Sequence, residues 1–276
     1  MCTCMLIYFC CRGETMHKMR NSVAALLEIH LKQMLRTPWT YWILGCMAIV
    51  GVTMAIPYNE ILSDTKNNIA IGELELIVSY RIIRYGALIY CLLVSKTKIN
   101  IDDHELIISR TGRLHYILSE EVFIIILAFV FLQTPRIATL ITCFNNIAFA
   151  NAWSDAGLVL AELEKAPAYS PASIALCSIG MQWIYCIILG NFIALGDLLF
   201  KEKYGFTVSA YVHGLFWVMY LDGIWGKISI LSNAYVSYKL RDNIERILVN
   251  LAVVVLLFLL IVIRARKIEI RGRNND

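Results

Sequence analysis

The run ILVNLAVVVLLFLLIVI, Ile247 to Ile263, is seventeen residues long and carries no charge. No other feature constrains this chain as tightly. A hydrocarbon core of about 30 Å is crossed by about 20 largely apolar residues in a helix. Lipid offers no partner to backbone N–H and C=O groups, so a spanning segment must be a helix or part of a closed barrel. An uninterrupted apolar run of this length, without the alternation of a barrel strand, predicts a spanning helix.

Five more runs meet the same criterion approximately: residues 40–57, 76–94, 122–149, 172–195 and 206–221. The third is interrupted by QTPR, Gln133 to Arg136. Neither half is long enough to cross alone, so it reads as one long helix kinked at Pro135. Composition agrees, with 59% hydrophobic and 17% charged residues and a mean hydropathy of +0.64. The expected fold is all-α, a polytopic bundle of six transmembrane helices forming one domain over residues 1–276.

Charge sets the orientation. Lys and Arg gather before the first run, between the second and third, between the fourth and fifth, and after the last, which are the segments on one side of the membrane. The positive-inside rule places those segments, and with them both termini, in the cytoplasm of a cell membrane. The net charge of +4 is spread in blocks between apolar runs rather than along one face, so no nucleic-acid partner is expected. Cys46, Cys91, Cys143, Cys177 and Cys186 stand singly in apolar runs, where a thiol acts as a small hydrophobe. The opening MCTCMLIYFCC has no matching Cys or His pair at zinc spacing, and it lacks the basic start and cleavage site of a signal peptide. Patterning begins just after Met16 and Met19, which points to one of them as the translation start.

Two segments outside the runs are patterned. Residues 20–38 place Val23, Leu26, Leu27, Leu31, Met34 and Leu35 at helical spacing, with Glu28, Lys32 and Arg36 four apart on another side. Thr37 and Pro38 then end the helix before Trp39 and Trp42. This is the expected form of an amphipathic helix on the inner membrane surface that turns into the first span. Residues 104–118, within HELIISRTGRLHYILSEE, combine apolar Leu106, Ile107, Ile108, Leu114, Ile117 and Leu118 with Glu105, Arg110, Arg113 and His115, divided by Gly112. Physics allows two readings, a cytoplasmic helix that plugs into a soluble partner or a solvated basic loop. On the outer side, residues 227–238 are too apolar for a solvated loop and too short to cross, so a helix in or dipping into the outer leaflet is expected.

Charges inside the runs need partners or water. Arg81 and Arg84 either line a substrate path or subunit interface, or snorkel outwards beside Glu73 and Glu75. Arg136 lies nearer the outer boundary and is expected to snorkel there. His213 reads as a hydrogen-bonded packing residue before a proton relay. No P-loop, HExxH or GxSxG occurs, and Glu120 and Glu121 are followed by VFIII without a basic or His partner. No enzyme constellation is present, and no cofactor is expected on this chain.

The order of parts resembles the membrane permease subunits of bacterial type-2 ATP-binding cassette exporters: a cytoplasmic elbow helix (LLEIHLKQMLRTPW), six spans with both ends inside, a coupling helix between spans two and three, and a semi-apolar outer segment before the last span. Within ELIISRTGRLHYILSEEVF, the resemblance implies that Glu105, Ile107, Arg110, Arg113 and Tyr116 meet or brace an ATP-binding subunit. Glu120 and Glu121 depart from the family pattern, in which a lysine or small residue enters span three. The resemblance further implies a pathway built with a second permease copy or paralogue, with ATP held on the partner. The competing class is a non-transporting immunity or sensor protein that binds a peptide through its outer segments. Ile107→Asp leaves the Lys and Arg count intact, so on the coupling reading it abolishes transport without altering insertion; unchanged transport in that variant makes the segment a plain loop.

Overall fold

The computed structural model describes residues 13–65, 68–98, 112–148, 151–155, 158, 167–200, 204–221, 230–235 and 240–273. These form an all-α bundle of α1 (Gly13–Arg36), α2 (Pro38–Thr65), α3 (Ile71–Thr97), α4 (Arg113–Thr142), α5 (Pro171–Phe200), α6 (Gly205–Leu221) and α7 (Leu240–Arg273). The regions Pro38–Glu60, Arg113–Thr142, Pro171–Phe200 and Asp242–Lys267 are long and apolar enough to cross a membrane. Helix α6 is apolar but shorter, and α3 carries Glu73, Glu75, Arg81, Arg84 and Lys96 along its length. Trp39, Tyr41 and Trp42 are exposed at the start of α2, where amphipathic rings suit a membrane–water boundary.

The break between α1 and α2 follows from unsatisfied carbonyls. The last carbonyls of a helix lack intrahelical partners, and here the linking Thr37 and residues of the next helix supply them. The Thr37 hydroxyl donates to the Gln33 carbonyl at 2.8 Å, Thr40 to Met34 at 2.7 Å and Tyr41 to Leu35 at 2.7 Å. Pro38 opens α2, a position where its missing N–H costs nothing. Helix α1 lies against α4: Leu26 and His30 are buried, and the His30 ring stacks on Phe123 with centroids 5.2 Å apart. Leu27, Leu31 and Met34 pack against the core as the periodicity predicts, whereas Leu35 is exposed. On the opposite side Lys32 bonds to Glu28 and holds its carboxyl below the usual range.

Helix α4 is continuous through Pro135. It begins at Arg113, so residues 113–118 form its first turns rather than the second half of a separate coupling helix. Gly112 precedes it at φ 85°, a left-handed conformation suited to glycine. The helix also stops at Thr142 instead of running to 149, because Phe144–Asn146 tighten into a 3-10 turn and Ile147–Ala148 extend. That extended pair bonds in parallel with Ile69–Ala70, which ties the α2–α3 and α4–α5 connections together. Residues Ile230–Ala234 form a 3-10 turn whose Leu231 and Ala234 are fully buried. The described part of the 227–238 segment thus packs into the bundle.

At Gly51 helices α2 and α4 meet backbone to backbone. A Cβ there lies 2.3 Å from the Pro135 carbonyl oxygen, and the Thr139 hydroxyl donates to the Gly51 carbonyl at 3.0 Å. Small residues permit such approach in membranes, where packing rather than the hydrophobic effect joins helices. Gly51→Val is expected to force the helices apart at a cost of about 1–3 kcal/mol, read as a lowered melting temperature in detergent. An unchanged melting temperature contradicts the contact.

Candidate functional site

Among the described residues, three groups of charged side chains stand out in the apolar bundle. The first is an interior network. Arg136 is 4% exposed and donates to Glu75 through Nε at 2.8 Å and Nη2 at 2.9 Å. It also bonds to the Gln182 side-chain oxygen and to the Leu132 carbonyl. Gln182 in turn donates to the Ser79 carbonyl at 3.0 Å and the Ser178 hydroxyl at 3.3 Å. One guanidinium thus joins α3, α4 and α5. This corrects the expectation that Arg136 snorkels outwards: a carboxylate on a neighbouring helix offers bidentate, charge-assisted bonds that a path to the surface does not.

The second is at the ends of helices α3, α4 and α5. The Lys98 ammonium lies 2.7 Å from a Glu120 oxygen and bonds to Asp197 as well. Burial alone lowers an ammonium's pKa, but here the two carboxylates outweigh it and hold Lys98 well above its ordinary value. Asp197 also accepts the Gly205 N–H at 2.9 Å, so its charge sits at the N-terminus of α6, where the helix dipole favours it. Asp197 and Gly205 are packed so tightly that a Cβ on Gly205 would meet Asp197 Oδ1 at 2.3 Å. Beside them Asn191, with its amide nitrogen turned towards Glu121, donates to that carboxyl at 3.0 Å. Glu120 therefore does have a basic partner, contrary to the sequence reading. It comes from the far side of the 99–112 connection.

The third is an exposed pair. Arg81 and Arg84 stand on the surface of α3, with Arg81 stacked over Tyr58 at 5.5 Å and Arg84 over Trp217 at 5.4 Å and Tyr85 at 5.6 Å. Glu75 is held by Arg136, and Glu73 accepts from the Ala70 N–H at 2.8 Å and the Ser154 hydroxyl at 2.8 Å. His213 is buried and bonded to Tyr185 at 2.7 Å.

The predicted coupling residues divide. Glu105, Ile107 and Arg110 lie outside the described residues. Arg113 opens α4 and is partly exposed. Tyr116 is buried, with its ring centroid 5.4 Å from that of His30, so it braces the elbow helix. Lys98, Glu120 and Asp197 went unrecognised in the sequence, although each sits where an apolar run ends. Among the described residues no cluster of His, Cys, Asp and Glu is suited to a metal ion. No known protein family, curated protein or solved structure matches this chain.

Breaking the interior network from one side leaves a buried charge alone. Glu75→Gln is expected to destabilise the bundle by about 3–5 kcal/mol, while Glu75→Gln combined with Arg136→Met recovers most of the loss. Thermal unfolding of both variants in detergent checks this; losses that simply add contradict the pairing.

Proposed function

We propose that this chain is the membrane-spanning permease subunit of an ATP-binding cassette exporter. Helices α2 to α7 are its six spans, and both termini lie in the cytoplasm of a bacterial cell membrane. It pairs with a second copy or a paralogue to enclose the substrate path. Transport is driven by a separate ATP-binding subunit, as a chain without a phosphate-cradling motif requires.

The observation that carries this reading is the Lys98–Glu120–Asp197 cluster. The 99–112 connection holds Glu105, Ile107 and Arg110, with Arg113 directly after it. Lys98 precedes this connection and Glu120 follows it closely on α4. Lys98 bonds to both Glu120 and Asp197, and Asp197 is bonded to the first turn of α6. A soluble motor that pushes on the connection therefore pulls on α3, α4, α5 and α6 together. This is the mechanical need of a rigid-body transporter switch. The elbow helix adds a second handle, since α1 is fastened to α4 by His30 between Tyr116 and Phe123. Arg81 and Arg84 belong to the path, because arginines on a span must face protein or water rather than lipid.

Affinity purification of the full chain from its native host tests the proposal. A nucleotide-hydrolysing subunit is expected to copurify with the wild type and be lost from Arg110→Glu plus Arg113→Glu. Lys98→Met is expected to retain that subunit, yet lose the nucleotide-dependent distance change between spin labels at exposed Ile49 and Tyr211. If no such subunit copurifies, and outer-face peptide binding is found instead, the chain is an immunity or sensor protein.

A further inference from the structure

Helices α1 and α3 both end beside the first turn of α2. Lys96, in the last turn of α3, holds its ammonium 5.9 Å from the ring centroid of Trp39, within the range of a cation–π contact. Arg36 ends α1 and precedes Trp39 by three residues, so their Cα atoms are at most about 11 Å apart. Cations near a helix C-terminus commonly bond to its last carbonyls, but in both helices hydroxyls take that place. The carbonyls of Gln33, Met34 and Leu35 accept from Thr37, Thr40 and Tyr41, and those of Leu93 and Val94 accept from Thr97 at 2.8 Å and 3.2 Å. Among the described residues no carboxylate pairs with Arg36 or Lys96, and both cations are exposed.

Depth decides what such a pair can meet. The apolar stretch of α2 begins at Pro38, so Trp39 marks the level where a span leaves the headgroups. Trp39, Tyr41 and Trp42 are all exposed, and such rings favour that level. Trp42, Cys46 and Ile49 follow Trp39 at i+3, i+7 and i+10, on one face of α2, and they too are exposed. The corner thus presents two cations at headgroup level beside an apolar strip that runs into the hydrocarbon. An acidic segment of a soluble partner would match the cations alone, and would have to displace headgroups to reach them.

We propose that this corner binds an anionic phospholipid of the leaflet that α1 lies along. Its phosphate is held by Arg36 and Lys96, and one acyl chain lies along Trp42, Cys46 and Ile49. A guanidinium offers a planar fork and an ammonium three donors on a point charge, and both take phosphate oxygens in charge-assisted bonds. The Trp39 face holds the ammonium without consuming its N–H donors as a carboxylate would. A zwitterionic headgroup carries the same phosphate together with a cation that Arg36 and Lys96 repel, so the corner prefers a head of net negative charge. One headgroup bound in this way bridges the ends of α1 and α3. The inference needs only a membrane, and stands or falls separately from the permease reading.

Trp39 reports on the corner directly. The full chain is placed one per phosphatidylcholine nanodisc, which leaves no second copy to fill the corner, and Trp39 fluorescence is taken as the difference between wild type and Trp39→Phe. Phosphatidylglycerol or phosphatidylcholine with the same brominated acyl chains is then titrated in as quencher. Phosphatidylglycerol is expected to quench at roughly tenfold lower lipid fraction, the size of one charge-assisted contact. That preference should vanish in Arg36→Gln plus Lys96→Gln and persist in Arg36→Lys plus Lys96→Arg. It should also persist in Arg266→Gln plus Lys267→Gln, which removes the same charge from exposed positions on α7. Helix content by circular dichroism is expected to be unchanged in all three. Equal quenching by the two lipids overturns the proposal, as does a preference that survives in the first variant. A preference lost equally in the α7 variant shows a diffuse attraction and overturns it too. Displacement of the brominated lipid by inorganic phosphate assigns the cations to free anions, displacement by polyglutamate assigns them to an acidic protein, and either result overturns the proposal.

Discussion

A buried guanidinium is the most demanding group in this bundle, and much of the packing answers to it. Arg136 in α4 follows Pro135 directly, in the turn where α4 also touches the backbone of α2 at Gly51. Its charge is met by Glu75 of α3 and its remaining donors by Gln182 of α5 and the Leu132 carbonyl. An ion pair taken out of water repays its desolvation only with good geometry and full hydrogen bonding. The bidentate contact and the Gln182 relay supply both. Rotating any of the three helices by one residue would swing its member of the network away, so the network fixes rotation and depth together. It also explains how α3 enters the bundle at all. This helix is too charged to belong with the plainly apolar spans, and Glu75 is acceptable within it because Arg136 is there.

Polar ties recur at three levels and involve largely the same helices. At one end the extended pair Ile69–Ala70 and Ile147–Ala148, Glu73 with Ser154 and Asn59 with Asn146 join the connections. Deeper in the bundle lies the Arg136 network. At the far end Lys98, Glu120 and Asp197 close the set and recruit α6. Helix α7 buries Leu257, Ile261 and Ala265 together with Asn243 and Asn250, donates from Arg246 to the Tyr235 carbonyl at 2.6 Å, and turns Leu248, Val255, Leu256 and Leu259 outwards. Apolar side chains slide past one another at lower cost than ion pairs break. The stiff part of the molecule is therefore α3 to α5 with the start of α6.

Much of this was legible from the residues, and the failures have physical causes. Apolar runs located the helices because a membrane imposes a length as well as a composition. The elbow break was legible because Thr37–Pro38 is a local signal. Two boundaries were missed where local turn chemistry won: α4 ends at Thr142 because Cys143 to Ala148 turn and extend, and it starts at Arg113 because Gly112 takes a positive φ. Charged partners were the least legible. Glu75 and Arg136 are 61 residues apart, and Lys98 and Asp197 are 99 apart. Pairing at such range depends on which helices adjoin, and periodicity in one strand of sequence does not report that. Glu120 was read as lacking a basic partner because its neighbours in sequence were searched, while the partner stands across a connection.

The chain's arginines show two answers to one problem. Arg136 is enclosed, and its charge is neutralised by side chains the fold itself provides. Arg81 and Arg84 are of the same type, on a helix of the same bundle, yet they are exposed and lean on aromatic rings. A cation–π contact at an exposed site contributes about 0.5–1 kcal/mol, well below the cost of a bare guanidinium at mid-depth in lipid. The same residue type is thus enclosed by a carboxylate and an amide in α4, and presented beside aromatic rings at the surface of α3.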